Sequence, residues 1–163
     1  MTYIADASSI ILLSKVGLLQ KLAEKSEIIV PQKVYQEVSV GKSRGRSDAL
    51  EFEQLVSENK IKVVAVAPGE KEKIESVLGI FAGENEVVAY ARTGNAVVLT
   101  DDKKCINAAK SMQLEFITTL DIIVDLQKRG IITAEKGLNC LERLETYGWY
   151  KHGIIDAYRR LIK

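Results

Sequence analysis

Histidine and cysteine are scarce in this chain, and their scarcity excludes several kinds of catalytic site. The 163 residues include one histidine, His152, and two cysteines, Cys105 and Cys140. A single histidine cannot form a paired-histidine acid–base site or a histidine-rich zinc site. Two cysteines outside a Cys-x-x-Cys unit cannot build a disulfide framework. We therefore expect reduced, half-buried thiols and a cytoplasmic protein.

Excess charge and long apolar runs are also missing. The net charge is +1, so no overall positive field attracts the chain to nucleic acid. The apolar run IILL at 10–13 is too short to span a bilayer, and we see no signal-peptide pattern at the N-terminus. We predict no membrane association. The length and the 47% hydrophobic content favour one globular domain over 1–163.

Short apolar runs alternate with helical patterns along the chain. The predicted strands are 3–5, 28–30, 61–66, 96–100 and 116–118. The predicted helices are 8–15, 18–25, 32–38, 47–59, 70–78, 83–94, 102–112, 120–129, 133–146 and 154–163, with a basic loop at 41–46. This alternation predicts an α/β fold with three α/β/α layers and a central parallel sheet of four to five strands. We expect a core over about 2–119 and a C-terminal helical extension over about 120–163.

Acidic residues follow two of the predicted strands. Asp6 follows the first strand, and Asp101 and Asp102 follow the fourth. The carboxyl ends of parallel strands meet at one edge of a sheet, where ligands collect. Taken singly, each aspartate is also explained as a helix N-cap. Ser8 and Ser9 can also cap the first helix, and Ser8 can donate a hydrogen bond to Asp6 or to a bound water.

Two more acids lie on predicted helices. Glu37 borders the apolar stripe of its helix, although taken alone it is better explained as a solvated surface acid. Glu84 lies on one face with Val87 and Val88, whereas Glu86 lies on a less apolar face, so we predict that Glu84 points to the interior. Hard carboxylate oxygens from these positions favour Mg²⁺ or Mn²⁺ as a ligand.

Four segments, taken in order, resemble the acidic motifs of the PIN-domain nucleases, specifically the VapC-like toxins and their stand-alone prokaryotic relatives. They are IADASSIILLSK, VPQKVYQEV, GENEVVAYA and VVLTDDKKCINAA. The resemblance covers about 2–119, and ITTLDIIVDLQKRGIIT is similar to the C-terminal part of one PIN subgroup. The ordered set carries the resemblance, because no single motif is specific.

The resemblance implies a metal-dependent endoribonuclease that cleaves single-stranded RNA and leaves 5′-phosphates. It assigns Asp6, Glu37 and Glu84 to a Mg²⁺ or Mn²⁺ site. Asp102 would complete that site, with Asp101 kept as the alternative fourth acid. Ser8 and Thr100 would hydrogen-bond to the metal ligands.

The resemblance also implies partners. The chain would be the toxin of a toxin–antitoxin pair, inhibited by a small antitoxin protein, and a homodimer. The apolar residues Ile10, Leu13, Leu18 and Leu22 could form a dimer interface or belong to the core. Basic residues that could bind the RNA backbone are Lys42, Arg44, Arg46, Lys103 and Lys104.

Two alternatives from other classes remain open. A catalytically silent PIN fold would serve as a scaffold that binds RNA or protein. A receiver-like phosphoacceptor domain also gathers acids at one edge of a sheet, but the predicted strand 61–66 has no acid at its end. The aromatic residues Tyr147, Trp149 and Tyr150 could stack on bases, although packing explains them better.

Overall fold

A computed structural model describes residues 1–43, 45–79 and 83–163, without the side chains of residues 42 and 43. The chain divides into two compact units, Met1–Ile117 and Thr118–Lys163. The prediction of a single domain over 1–163 stays a prediction. No helix in the described ranges is long and apolar enough to cross a membrane.

A five-stranded parallel sheet forms the centre of the first unit. Its strands are β1 (Thr2–Ala5), β2 (Glu27–Pro31), β3 (Ile61–Val64), β4 (Val97–Leu99) and β5 (Phe116–Ile117). They lie in the order β3-β2-β1-β4-β5. Isoleucine and valine dominate these strands, and such β-branched side chains suit a sheet that is covered on both faces. The predicted three-layer fold with four to five parallel strands is confirmed.

Seven helices lie in the described part of the first unit and three in the second. The first set is α1 (Ala7–Lys15), α2 (Leu19–Lys25), α3 (Gln32–Ser43), α4 (Ser47–Ser57), α5 (Pro68–Leu78), α6 (Gly83–Thr93) and α7 (Lys103–Ser111). The second set is α8 (Thr119–Lys128), α9 (Ala134–Thr146) and α10 (His152–Arg159).

Helix α3 is longer than predicted, because packing overrides the local preference of a glycine. The prediction ended this helix at residue 38 and began a loop at Gly41, whereas α3 continues to Ser43. A Cβ on Gly41 would lie 3.2 Å from the Cβ of Ala49 on α4, so the glycine allows the two helices to pack closely. The first part of the predicted basic loop is therefore helical.

The apolar residues suggested for a dimer interface are core residues instead. Their exposed fractions are 0% for each of Ile10, Leu13, Leu18 and Leu22. That interface suggestion is wrong, since side chains buried inside one unit present no surface to a second copy. The half-burial expected for the thiols is also wrong, because Cys105 and Cys140 are both free and fully buried.

Candidate functional site

Asp6 stands at the carboxyl end of β1 and begins helix α1 as its N-cap. Its Oδ1 accepts hydrogen bonds from Ser9 N at 3.0 Å, Ser9 Oγ at 2.9 Å and Ser8 Oγ at 2.8 Å. Its Oδ2 accepts a hydrogen bond from Thr100 Oγ1. Of the caps that the sequence leaves open, the structure therefore uses Asp6 and neither Ser8 nor Ser9. Donors on Ser8, Ser9 and Thr100 hold both oxygens of the carboxylate in one orientation.

Burial raises the pKa of the Asp6 carboxyl above its ordinary value, although hydrogen bonds from Thr100, Ser9 and Ser8 act in the opposite direction. Only 3% of the residue is exposed. The Ser9 hydroxyl lies 2.9 Å from Asp6 Oδ1 and 2.8 Å from Leu99 O, so its single proton can go to either oxygen and the side chain connects Asp6 to β4. Ser9 lies three residues after Asp6, the position whose N–H bonds to the side chain of an N-cap aspartate, and this spacing could have indicated the contact from the sequence.

The point where the strand order reverses lies between β1 and β4. The chain first builds β2 and β3 on one side of β1 and then crosses to place β4 on the other side. Asp6 N donates to Leu99 O at 3.1 Å across this junction. Such a switch point is the usual ligand site of an open parallel sheet, because the neighbouring loops leave a crevice there.

Asp102 caps helix α7 at the end of β4. Its Oδ1 accepts a hydrogen bond from Cys105 N at 3.0 Å, and its own N–H donates to Thr100 Oγ1 at 3.1 Å. Asp101 is 8% exposed, and its N–H donates to Ser8 Oγ at 3.2 Å. Thr100 and Ser8 therefore connect both aspartates to Asp6.

Glu37 contacts the start of helix α6. Its Oε1 accepts a hydrogen bond from Gly83 N at 3.0 Å. A Cβ on Gly83 would lie 2.7 Å from Glu37 Oε2 and 2.9 Å from Val34 Cγ2. The glycine thus provides the room in which the Glu37 carboxylate approaches the helix, and the sequence gave no sign of this contact.

Glu84 lies one residue further along α6 and is half-buried. Its pKa is raised, first by desolvation and then by repulsion from Asp102, Glu37 and Asp6. The main causes include no lysine or arginine. The structure therefore brings four of the predicted acids close enough for their charges to interact. Asp102 is the first of the repelling carboxylates, and the choice between Asp101 and Asp102 as the fourth acid stays a prediction.

The prediction that Glu84 is more buried than Glu86 is wrong. Glu86 is 6% exposed and is the more buried of the two. Its Oε2 accepts from Lys33 N at 3.1 Å, and its Oε1 pairs with Lys71 Nζ at 3.0 Å. The helical-face argument failed because α6 is buried around most of its circumference, and pairing with other helices cannot be read from periodicity.

A family model for the PIN domain matches residues 2–162. The chain belongs to the PIN domain family. PIN domains are in general nucleases, and a cluster of acidic residues at the switch point is consistent with that general activity. The receiver-like alternative is thereby set aside. No curated protein matches the chain.

Three solved structures share the fold of this PIN domain. PAE2754 from Pyrobaculum aerophilum is 19% identical, with a TM-score of 0.55, covering 78% of this chain and 99% of that one. VapBC-1 from nontypeable Haemophilus influenzae is 18% identical, with a TM-score of 0.54 and coverages of 73% and 98%. VapBC2 from Rickettsia felis, bound to a DNA fragment from its promoter, is 16% identical, with a TM-score of 0.50 and coverages of 72% and 98%.

The predicted RNA-binding residues are spread around this PIN domain. Lys103 and Lys104 are exposed in the first turn of α7, directly after Asp102. Lys104 also lines a cavity of about 330 Å³. Arg46 is paired with Asp48 at 3.1 Å. The side chain of Lys42 and the whole of Arg44 lie outside the described residues.

The acids of this PIN domain fit a divalent cation in their chemistry. Within the described ranges, no three His, Cys, Asp or Glu side chains stand in an arrangement that could hold a metal ion. The donors are nevertheless hard carboxylate oxygens, which suit Mg²⁺ or Mn²⁺. The repulsion at Glu84 is the condition that a dication would relieve. Asp6, Glu37, Glu84 and Asp102 therefore supply the donor chemistry that a dication needs, while their side chains are not arranged around one ion position in this structure.

Proposed function

We propose that this PIN domain is a metal-dependent endoribonuclease that hydrolyses phosphodiester bonds of single-stranded RNA. The observation that carries the proposal is the convergence of acids from the ends of β1 and β4 and from α3 and α6, where Asp102, Glu37 and Asp6 repel the charge of Glu84. Carboxylates gathered in this way destabilise the protein unless a cation joins them. Mg²⁺ or Mn²⁺ is the cation that their oxygens select.

Each acid has a defined part in the proposal. Asp6, Glu37 and Glu84 would hold the cation, and Asp102 would complete the site, with Asp101 as the alternative fourth acid. When bound, the cation supplies a nucleophile from water and neutralises charge on the phosphodiester. Ser8 and Thr100 keep the Asp6 carboxylate oriented through their hydrogen bonds.

Basic side chains beside the acids bind the substrate in this proposal. Lys103 and Lys104 stand next to Asp102, so they can contact the phosphates that flank the cleaved bond. Arg46 contributes if RNA displaces Asp48 from its ion pair. Contacts to phosphates carry no sequence information, so cleavage should weaken with rising salt without a change of cleavage site.

The decisive experiment is cleavage of an unstructured RNA by three proteins, each with Mn²⁺ and with EDTA. They are the wild type, Asp6→Asn, and Glu135→Gln as a control at an exposed position on α9. Asparagine caps helices as well as aspartate, so Asp6→Asn should fold. We expect cleavage only with Mn²⁺ and only by the wild type and the control.

Two other results would contradict the proposal. Equal cleavage in all arms would refute the metal mechanism. An inactive wild type that still binds RNA would favour the silent scaffold.

We further propose that the chain is the toxin of a cytoplasmic toxin–antitoxin pair and acts as a homodimer. The support is the fold shared with VapBC-1 and VapBC2. Co-expression with the adjacent reading frame should yield a complex in which RNA cleavage is inhibited. Light scattering should give twice the chain mass of 18.1 kDa for the free protein. Failure to form the complex, or a monomeric mass, would refute the corresponding part.

A further inference from the structure

Helices α3 and α6 hold each other at two points. Glu37 of α3 accepts a hydrogen bond from Gly83 N, the first residue of α6, at 3.0 Å. In return, Glu86 of α6 accepts a hydrogen bond from Lys33 N, in the first turn of α3, at 3.1 Å. The first N–H groups of a helix have no partner within it and attract negative charge. Each helix therefore supplies a carboxylate to the start of the other.

Glu86 also connects this pair to a third helix. Its Oε1 lies 3.0 Å from Lys71 Nζ on α5, and the exposed fractions of the two side chains are 8% for Glu86 and 34% for Lys71. A buried carboxylate with both oxygens occupied is fixed in place, and it is strongly destabilised when a partner is removed. Each carboxylate oxygen of Glu86 has a partner, Lys33 N for Oε2 and Lys71 Nζ for Oε1. Glu86 is therefore suited to hold α3, α5 and α6 together.

The two contacts lie along one line between α3 and α6. Lys33 and Glu37 are four residues apart on α3, and Gly83 and Glu86 are three residues apart on α6, so each pair shares one helix face. Glu84 follows Gly83 directly. The two contacts therefore connect the backbone that carries Glu84 to the backbone that carries Glu37.

We infer that Glu86 is a positioning residue that keeps the carboxylates of Glu37 and Glu84 at a fixed separation in the acidic site. The value of that separation for metal binding rests on the proposed function. Glu86 contacts neither carboxylate, so its effect on them passes through the backbones of α3 and α6.

The first test is Mn²⁺ titration of Glu86→Ala and Glu86→Gln, with Glu72→Gln on the exposed side of α5 as the matched control. Residues that orient metal ligands typically change metal affinity by about 10–100-fold. We expect a rise of that size in the Mn²⁺ dissociation constant of Glu86→Ala. Glu86→Gln should rise less, because its amide oxygen can still accept from Lys33 N. Wild-type affinity in Glu86→Ala, measured where circular dichroism shows it folded, would overturn the inference.

The second test is amide hydrogen exchange without metal, read at Lys33 and at Gly83. Glu86 accepts from Lys33 N, so faster exchange there in Glu86→Ala is expected from any structural role. Faster exchange at Gly83, whose N–H binds Glu37, is expected only if the two contacts act together. An unchanged rate at Gly83 would overturn the inference.

The two tests separate this inference from the proposed function. A wild type that binds no Mn²⁺ contradicts the metal proposal, while hydrogen exchange still decides the role of Glu86. If Glu86→Ala does not fold, Glu86→Gln and Lys71→Met are measured in the same way.

Discussion

Replacing Glu84 by glutamine should stabilise the metal-free protein and abolish its response to metal. Glutamine keeps the size of the side chain and removes the charge that Asp102, Glu37 and Asp6 repel. Because Glu84 is half-buried, solvent screening limits each repulsion to about 0.2–1 kcal/mol. Its place in the first turn of α6 opposes this with about 0.3–1 kcal/mol of favourable dipole interaction. Desolvation and the three repulsions both raise the pKa of Glu84, so we expect their sum to exceed the dipole interaction.

The expected net effect is about 0.5–1 kcal/mol, and for a chain of this length 1 kcal/mol corresponds to roughly 2–4 °C in Tm. Thermal unfolding followed by circular dichroism should therefore show Glu84→Gln melting about 1–4 °C above the wild type in EDTA. Mn²⁺ at 100 times its dissociation constant adds about 2.7 kcal/mol to the wild type. That gain should raise the wild-type Tm by roughly 5–11 °C and should be absent from the variant.

Glu72→Gln, at an exposed position on α5 beyond its first turn, is the control and should match the wild type in both conditions. The reasoning is refuted if Glu84→Gln melts below the wild type in EDTA, because the acids would then not repel Glu84. It is also refuted if the variant keeps the full Mn²⁺ shift.

Three further changes test the surroundings of the site and the second unit. Thr100→Val removes a hydroxyl that donates to the buried Asp6 carboxylate, so denaturant unfolding should show a loss of about 1–3 kcal/mol. Gly83→Ala places a Cβ 2.7 Å from Glu37 Oε2, so the displaced carboxylate should weaken Mn²⁺ binding by about 10–100-fold in a titration. His152→Gln should lower the Tm at pH 5.5 and not at pH 8.5.

The sign of the pH effect follows from the pKa of His152, which is raised by its hydrogen bond to Glu145 and by the charge of Asp156. A raised pKa in the folded state stabilises the protein below the ordinary pKa of about 6.5, and this contribution is lost as the pH rises through the raised value. The two carboxylates have lowered pKa values, so they remain charged at pH 5.5. A Tm difference that is equal at both pH values would contradict the assignment.

The two glycine and threonine changes have matched controls. Gly69→Ala introduces a Cβ with no atom within 4 Å, so it should leave Mn²⁺ binding unchanged. Thr93→Val removes a hydroxyl that donates to a carbonyl of its own exposed helix end, so it should alter stability little. If either control matches its test variant in effect, the contacts of Gly83 or Thr100 are not the cause.

The fold and the strand-end acids could be predicted because their signals are local. Apolar runs bounded by turns gave all five strands, and a residue that directly follows a parallel strand must lie at the carboxyl edge of the sheet. This rule alone was enough to predict that Asp6 and Asp102 lie at the same edge of the sheet. The order of the strands was not available from the sequence, because β1 pairs with β4 across more than ninety residues.

Residues whose environment depends on packing between helices were harder to predict. The burial of Glu86 depends on Lys71 and on the start of α3, which no periodicity within α6 can indicate. Gly41 would have ended a helix by its local preference, but close packing on α4 keeps α3 intact. The sequence indicates Gly83 only as the start of a helix, whereas in the structure its lack of a side chain makes room for Glu37.

The hydrogen bond from Thr100 to Asp6 joins residues that are 94 positions apart. On the ribosome, Asp6 is therefore synthesised long before the strand that completes its surroundings. At about 5–20 residues per second, the delay is roughly 5–20 s. A nascent chain that stops before β4 already carries Asp6, Glu37 and Glu84, but it lacks the wall that orients Asp6. Until translation has passed Thr100, the growing polypeptide thus contains these acids but lacks the hydrogen bond that orients the Asp6 carboxylate.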